Sequence, residues 1–243
     1  MRLNRFLAAA GFGSRRACEA LILAGKVSIN GHFIRELATS VEADDDVRVS
    51  GKQARAALPV YILLNKPRGY VCTRSDERGR KTIFDLLPSH YGKLFHVGRL
   101  DMESEGLLLL TNDGDLAQRL THPAHEIEKD YEVLIDKPFE AEHAAKLVRG
   151  FMIEGGRARM ERVHIIAPKH LKVVLRQGIK RQIRLMLYAL GYEVKRLMRT
   201  RIGGVEYGGL KPGQWRPLKE KEVALLSGKG GKTKPPRAKS KAP

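Results

Sequence analysis

Residues 95–116 read FHVGRLDMESEGLLLLTNDGDL and decide how the larger part of the chain folds. Four consecutive leucines, Leu107–Leu110, form a short apolar run of the kind expected for a buried strand. The sequence Thr-Asn-Asp-Gly that follows is typical of a helix start, because its side chains can cap backbone N–H groups. Asp101 lies between two apolar segments, two residues after Arg99. That position suits either a working acid or a structural ion pair.

The overall composition indicates a globular protein with a polyanionic partner. The chain has 243 residues, of which 42% are hydrophobic, enough for one large or two moderate domains. Lysine and arginine number 45 against 27 acidic residues, and the resulting formal charge of +18 favours nucleic-acid binding. No apolar run approaches the roughly 18 residues of a membrane span, so we expect no membrane association.

The pattern of reactive residues predicts neither a metal site nor a cofactor. Cys18 and Cys72 lie far apart and form no metal-binding spacing, which suits a reducing cytoplasm. The sequence contains no phosphate-binding loop, no dinucleotide-binding glycine motif and no zinc-protease motif. We therefore expect a cytoplasmic protein that works without metal or cofactor.

Residues 1–50 are predicted to form a small α/β module. Leu3, Phe6 and Leu7 recur at helical spacing, and Ser14 is a good N-cap for a second helix. Short alternating segments and an Asn-Gly turn then predict a small hairpin sheet. The first half of the module is basic, which is consistent with an RNA-binding face or with a merely solvated pair of helices.

The rest of the chain divides into three predicted segments. Residues 51–59 lack periodicity and end in proline, as expected for a linker. Residues 60–227 are predicted to form a second, larger domain. Within it, residues 126–135 alternate as a strand does, which places Lys129 and Tyr131 on one face. Residues 228–243 are basic with no large apolar side chain, so we expect a disordered tail.

Three motifs in the larger domain carry a family resemblance. The segment GRLDMESEGLLLLTNDG, residues 98–114, resembles the central motif of the ribosomal RNA pseudouridine synthases of types A and B, which modify small-subunit RNA and large-subunit RNA respectively. KPRGYVCT, which begins at Lys66, resembles the first motif of that family, and the segment Gln177–Gly191 resembles the third. In the central motif the matching residues are Gly98, Arg99, Leu100, Asp101, Ser104, Gly106, Leu107, Leu108, Thr111, Asn112, Asp113 and Gly114.

This resemblance implies a fold and a set of site residues. The fold would be α+β, with a mixed, mainly antiparallel catalytic sheet flanked by helices. Asp101 would be the catalytic carboxylate, attacking the sugar or acting as a base, and Tyr131 would stack on the flipped base. Arg184 would pair with Asp101 and keep it ionised. Arg99 and Leu197 would belong to the base pocket.

The N-terminal module resembles the RNA-binding module named after ribosomal protein S-four. The resemblance rests on residues 3–32, LNRFLAAAGFGSRRACEALILAGKVSINGH. It implies that Ser14, Arg15, Arg16 and Lys26 face RNA. Three further residues join the expected RNA-binding set because of their own charge and position: Arg5, Lys180 and Arg181.

Together these features predict an enzyme that isomerises uridine to pseudouridine in ribosomal RNA. The segments CTRSDERGRKTIFDLLP and RLMRTRIGGV favour the large-subunit enzymes, and a small-subunit enzyme is the alternative. A non-catalytic RNA-binding assembly factor is a second alternative. A glycosidase would need another carboxylate, for which Glu103 and Glu105 are candidates. The expected partner is ribosomal RNA, free or in an assembly intermediate, and we expect a monomer.

Overall fold

A computed structural model of the chain describes residues 1–228, which form an N-terminal module and a larger domain. The predicted tail, residues 228–243, lies outside this range except for Gly228. The module has these elements: α1 (Leu3–Ala9), α2 (Arg15–Leu23), β1 (Val27–Ile29), β2 (His32–Ile34), β3 (Val47–Val49) and β4 (Lys52–Gln53).

The module is a pair of helices packed on a small antiparallel sheet of order β2-β1-β3-β4. Leu3 and Leu7 of α1 and Ile22 of α2 are fully buried with Val27 of β1 in one apolar core. The Ser14 hydroxyl caps α2 by accepting from the Ala17 N–H at 3.2 Å. The helices and the hairpin are therefore those that the sequence predicts.

The boundary of the module differs from the prediction. Lys52–Gln53, which the sequence places in the linker, form the edge strand β4 and pair with β3. Ala54 is buried in the module core. A polar pair of residues carries no strand pattern of its own, and only its partner strand reveals it. The connection between the two parts of the chain is thus shorter than residues 51–59.

The larger domain contains eleven strands and four helices within the described residues. The strands before the helix Gln182–Ala189 are β5 (Tyr61–Lys66), β6 (Phe95–Val97), β7 (Glu105–Thr111), β8 (Lys129–Ile135), β9 (Phe151–Ile153), β10 (Gly156–Ala158), β11 (Arg162–Ala167) and β12 (His170–Leu175). Those after it are β13 (Val194–Ile202), β14 (Val205–Glu206) and β15 (Trp215–Pro217). The helices are α3 (Gly114–Thr121), α4 (Glu142–Arg149), α5 (Gln182–Ala189) and α6 (Glu220–Leu226). Three short 3-10 helices span Ile83–Leu86, Ser89–Tyr91 and Pro123–His125.

The central sheet is mixed and mainly antiparallel, which confirms the predicted fold class. Its strand order is β11-β12-β8-β13-β7-β5-β15, with β14 added beside β13 and β6 beside β7. Strands β7 and β13 pair in parallel, through Glu105 with Met198 and Gly106 with Arg199. Further along the same edge of β7, residues Leu109–Thr111 pair with β6 instead of β13. The two halves of the sheet are therefore joined over a short distance.

The leucine run in β7 is buried on both faces of the sheet. Leu107 and Leu109 contact α3 and α6 in one apolar cluster, whereas Leu108 and Leu110 belong to a second cluster with Ile83. Consecutive side chains of a strand point to opposite faces, so an unbroken apolar run is what a strand covered on both sides requires. No helix within residues 1–228 is both long and apolar enough to cross a membrane.

Candidate active site

A cavity of about 700 Å³ lies beside the parallel pair of β7 and β13. Its walls come from the loop between β6 and β7, from β8, from the turn between β12 and α5, and from β13. Six residues that the sequence assigns to the site or to RNA binding line this cavity, although they come from four separate segments: Arg99, Asp101, Tyr131, Lys180, Arg181 and Leu197.

The loop that carries Asp101 is fixed from below by a buried lysine. The Lys66 side chain has no exposed surface. Its Nζ donates to the carbonyl oxygens of Ser104 at 2.8 Å, Pro67 at 3.0 Å and Asp101 at 3.1 Å. Burial lowers the pKa of Lys66 to about 8. Because these carbonyl groups accept from one cation, the backbone under Asp101 is held in a single arrangement.

The floor of the cavity is the sheet itself. Tyr131 lies on β8 between Val173 of β12 and Arg199 of β13, and only 8% of it is exposed. Leu197, two residues before Arg199 on β13, is 6% exposed and shares the same face. An aromatic ring beside an aliphatic side chain provides a flat apolar surface, which is what a planar base needs for stacking.

Arg184 does not form the expected ion pair with Asp101. Its Nη1 donates to the Val194 carbonyl oxygen at 3.0 Å, and its Nε lies 3.8 Å from a carboxylate oxygen of Glu103. Burial lowers the pKa of Arg184, and the Glu103 and Asp101 carboxylates oppose this shift. The attraction to Asp101 therefore acts through space, without a salt bridge within 4 Å.

Exposed cations surround the mouth of the cavity. Arg99, Lys180 and Arg181 line it and are exposed. Arg181 has a left-handed backbone at φ 56° immediately before α5, and its Nη2 lies 3.3 Å from a carboxylate oxygen of Glu103. Cations at such a mouth are suited to contact phosphate groups, and RNA binding by Lys180 and Arg181 stays a prediction.

The expected RNA-binding residues of the module fall into two groups. Arg15, Arg16 and Lys26 are exposed, and the Ser14 hydroxyl is used in capping α2. Arg5 differs from the expectation, because its guanidinium forms an ion pair with Asp115 of α3. Sequence spacing cannot reveal this pair, since its two members are 110 positions apart. Arg5 thus ties the module to the larger domain.

Two cations of the cavity have no role in the sequence interpretation. Arg199 and Lys129 line the cavity beside Tyr131, and Arg199 is only 3% exposed. Their strand positions do carry a signal: Lys129 lies two residues before Tyr131, and Arg199 lies two residues after Leu197. Each therefore shares the face of a residue that the sequence already assigns to the site.

The second carboxylate that a glycosidase requires is not supplied by the residues proposed for it. Glu105 forms an ion pair with Arg196 at 3.0 Å, and Glu103 lies beside Arg181 and Arg184. Neither carboxylate lines the cavity with Asp101. Two other carboxylates do line it, but each is paired with an arginine: Glu126 with Arg176 at 3.3 Å and Glu161 with Arg159 at 3.2 Å. Within the described residues, Asp101 is therefore the lining carboxylate without an ion pair, beside an aromatic floor and a mainly basic mouth.

Comparisons with known proteins agree on both parts of the chain. The sequence profile of the RNA pseudouridylate synthase family matches residues 60–189, and the S4 domain profile matches residues 1–47. A solved structure described as a pseudouridylate synthase has a TM-score of 0.69 and 29% sequence identity, and the match covers 93% of this chain and 99% of that one.

Two relatives match along nearly their whole length. An uncharacterized RNA pseudouridine synthase of Mycobacterium leprae is 43% identical over 235 residues, which is 93% of this chain and 92% of that protein. The ribosomal large subunit pseudouridine synthase B of Bacillus subtilis is 36% identical over 231 residues, which is 93% of this chain and 95% of that protein.

Proposed function

The chain belongs to the RNA pseudouridine synthase family, and we propose that it isomerises a uridine of large-subunit ribosomal RNA. The observation that carries the proposal is that Asp101, Tyr131 and Leu197, from three separate segments, line one cavity with a basic mouth. The similarity to the Bacillus subtilis large-subunit enzyme supports the choice of RNA. The protein would act in the cytoplasm as a monomer, on free ribosomal RNA or on an assembly intermediate.

The reaction would take place on a uridine that has left its helix or loop. Flipping a nucleotide costs a few kcal/mol and is easiest at an unpaired position. The cavity of about 700 Å³ lies within the size range of ordinary small-molecule sites. In the proposed complex the uracil stacks on Tyr131, Leu197 packs against it, and the flanking phosphates lie near Arg99, Lys180 and Arg181.

Asp101 would start the reaction at the sugar by one of two routes. Its carboxylate either attacks C1′ or removes the proton from C2′, and in both cases the bond between N1 and C1′ breaks. The base then rotates, and its C5 bonds to C1′. Arg184 would help Asp101 to stay ionised through its positive charge, since an opposite charge nearby favours the charged form of a carboxylate. The proposed reaction requires no metal and no cofactor.

The N-terminal module would supply affinity for the RNA. Arg15, Arg16 and Lys26 are exposed and carry no acidic partner among the described residues. Contacts between such cations and phosphates release counterions, so binding should weaken as salt is added. Target choice would then combine the RNA structure that the module recognises with the uridine that reaches Asp101.

The test is a pseudouridine map of both ribosomal RNAs from cells with and without the gene. Carbodiimide modification followed by primer extension reports each pseudouridine as a stop. Loss of one site in the large-subunit RNA, with return of that site when the gene is restored, is the expected result. A matched strain that carries the Asp101→Asn variant should lack the same site.

The other outcomes distinguish the alternatives. A site lost from the small-subunit RNA would keep the reaction and overturn the choice of RNA. No lost site, with the protein still bound to ribosomal particles, would favour a non-catalytic assembly factor.

A further inference from the structure

Arg199 is a buried cation without an anionic partner. Its Nε donates to the Leu107 carbonyl oxygen at 2.7 Å. Neither of its terminal nitrogens has a hydrogen-bond partner within residues 1–228, and Nη2 is closed off from solvent. Burying a guanidinium without a carboxylate is unfavourable, because the lost hydration is not replaced. A buried cation without an anionic partner is therefore more typical of a functional site than of a purely structural core.

Lys129 is a second cation on the same wall. Its Nζ donates to the Ile127 carbonyl oxygen at 2.9 Å, and no carboxylate lies within 4 Å of it in the described part of the chain. Burial, and then the positive charge of Arg199, lower the pKa of Lys129 to about 8. Two cations thus share one desolvated region, although their charges repel each other.

Strand pairing places these two cations next to Tyr131 on the same face of the sheet. Arg199 lies directly opposite Tyr131 in the antiparallel pair of β13 and β8. Directly opposed residues have their Cβ atoms roughly 5 Å apart on the same face. Lys129 precedes Tyr131 by two residues, a step of roughly 7 Å along the same face of β8. A base stacked on Tyr131 would therefore have its edges beside the two cations.

We propose that Arg199 and Lys129 face the carbonyl oxygens of the flipped uracil and stabilise the uracil anion formed when its glycosidic bond breaks. This inference rests on the proposed function. The flanking phosphates are a less suitable anion for these side chains, because the exposed cations Arg99, Lys180 and Arg181 already lie at the mouth. Arg199 lies deeper, beside the ring on which the base stacks.

The charge balance of the reaction requires this stabilisation by either route. If Asp101 attacks C1′, a bond forms between C1′ and a carboxylate oxygen, and the electron pair of the N1–C1′ bond leaves with the base. If Asp101 takes the C2′ proton, a C1′–C2′ double bond forms, and the same electron pair leaves with the base. Either way one negative charge moves from Asp101 to the uracil, where N1, O2 and O4 share it.

The second half of the reaction returns that charge. When C5 of the uracil anion bonds to C1′, Asp101 either leaves C1′ as a carboxylate or gives its proton back to C2′. The C5 proton is then lost to solvent and N1 gains a proton, which completes pseudouridine. Fixed cations in a desolvated site favour the anion over the neutral ground state, because no reorganisation of solvent is needed as charge develops.

The experiment compares two leaving groups in single-turnover reactions at saturating RNA. The RNA carries either uridine or 5-fluorouridine at the target position, and mass spectrometry of digested nucleosides follows loss of the starting nucleoside. With uridine, Arg199→Met should slow the reaction by about 10²–10³-fold, which is the fall in rate typical when one hydrogen-bond donor to a developing anion is removed. With 5-fluorouridine, whose base is a more stable anion, the loss should be at least several-fold smaller. RNA affinity should stay nearly constant.

Further variants separate this role from a structural one. Lys129→Met should show the same dependence on the leaving group, and Lys129→Arg should recover most of the lost rate. Lys172→Met is the matched control, since Lys172 lies on the next strand and forms an ion pair with Asp130 at 3.3 Å. Circular dichroism shows whether each variant folds. If Arg199→Met does not fold, the Lys129 variants alone test whether these cations stabilise the uracil anion.

Three results would overturn the inference. Equal rate losses for the two bases would indicate a structural role, and weaker RNA binding at an unchanged rate would indicate a phosphate contact. Unchanged rates in the Lys129 and Arg199 variants would exclude any role in the chemistry. A wild-type protein that converts neither nucleoside would instead refute the proposed function, so the two failures are distinguishable.

Discussion

Gly106 and Arg199 lie opposite each other across the parallel pair of β7 and β13, with no space for a side chain on Gly106. A Cβ at this position would overlap the Arg199 carbonyl oxygen and lie 2.7 Å from the Arg199 nitrogen. Gly106 also has a φ of 100°, which L-residues rarely adopt. This glycine therefore sets how closely the two halves of the sheet approach, and with it the position of Arg199.

Replacing Gly106 with alanine should separate β7 from β13. We expect Gly106→Ala to lower the free energy of unfolding by about 2–4 kcal/mol and to reduce activity, because backbone strain and overlap act together. The control is Gly114→Ala at the start of α3, where nothing lies within 4 Å. Urea unfolding of both variants tests the prediction, and equal stabilities would contradict it.

Removing the charge of Lys66 should loosen the Asp101 loop. Lys66→Met leaves the carbonyl oxygens of Pro67, Asp101 and Ser104 without their donor, which should cost about 1–3 kcal/mol of stability. The turnover rate should fall more than RNA affinity does. Unfolding titrations give the stability, and single-turnover kinetics give the rate.

The pH dependence of stability provides an independent check on Lys66. Its pKa is about 8 in the folded protein against an ordinary value of 10.5, so the unfolded state binds more protons between these two values. The Lys66 contribution to stability therefore rises as pH increases from 8 towards 10.5. The difference in stability between wild type and Lys66→Met should change over this range, and a constant difference would refute the assignment.

Asp101→Asn should abolish isomerisation while RNA binding stays nearly intact. Asparagine keeps the shape of the side chain but can neither attack the sugar nor remove a proton from it, so we expect a loss of more than about 10³-fold. Glu154→Gln removes an exposed carboxylate from the turn between β9 and β10 and is the matched control. Turnover near the wild-type rate in Asp101→Asn would exclude Asp101 as the catalytic group.

The salt dependence of RNA binding should separate Arg5 from its neighbours. Because Arg5 is paired with Asp115, Arg5→Gln should leave the slope of log affinity against log salt nearly unchanged. Replacing Arg15 and Arg16 together with glutamine should reduce the slope by about 2, one for each lost phosphate contact. An equal reduction per residue in Arg5→Gln would show that Arg5 binds RNA after all.

Activity should fall at alkaline pH if Lys129 must be charged. Its pKa is about 8, lowered by burial and then by Arg199, so the charged form is present below this pH and lost above it. Arginine stays charged over the whole range, and Lys129→Arg should move the alkaline decline to higher pH. A decline that stays near pH 8 in this variant would assign the titration to Lys66, whose pKa is also about 8.

The sequence predicts the local structure well wherever a residue's neighbours in the chain decide it. The leucine run gives β7, alternation gives β8, and Ser14 marks the start of α2. Family resemblance brings Asp101, Tyr131 and Leu197 into one site, and the structure places all three in its cavity. These features depend on residue type and spacing, which a single sequence contains.

Features that depend on distant partners could not be predicted in this way. Arg5 looks like any basic residue of α1 until Asp115 is placed beside it. Lys52–Gln53 form a strand only because β3 is adjacent, and Arg184 contacts Glu103 rather than Asp101 through the local course of the loop. The burial of Arg199 follows from the parallel pairing of β7 and β13, which no local pattern encodes.

The short junction between β7 and β13 also determines when the site comes into existence. Asp101 and its Lys66 support belong to the first half of the chain, whereas Leu197 and Arg199 lie on β13 near the end of the domain. During synthesis, a nascent chain that ends at α5 therefore has the carboxylate without the far side of its cavity. Chemistry must wait for β13 to emerge and join β7. Formation of the complete cavity is thus coupled to completion of the central sheet.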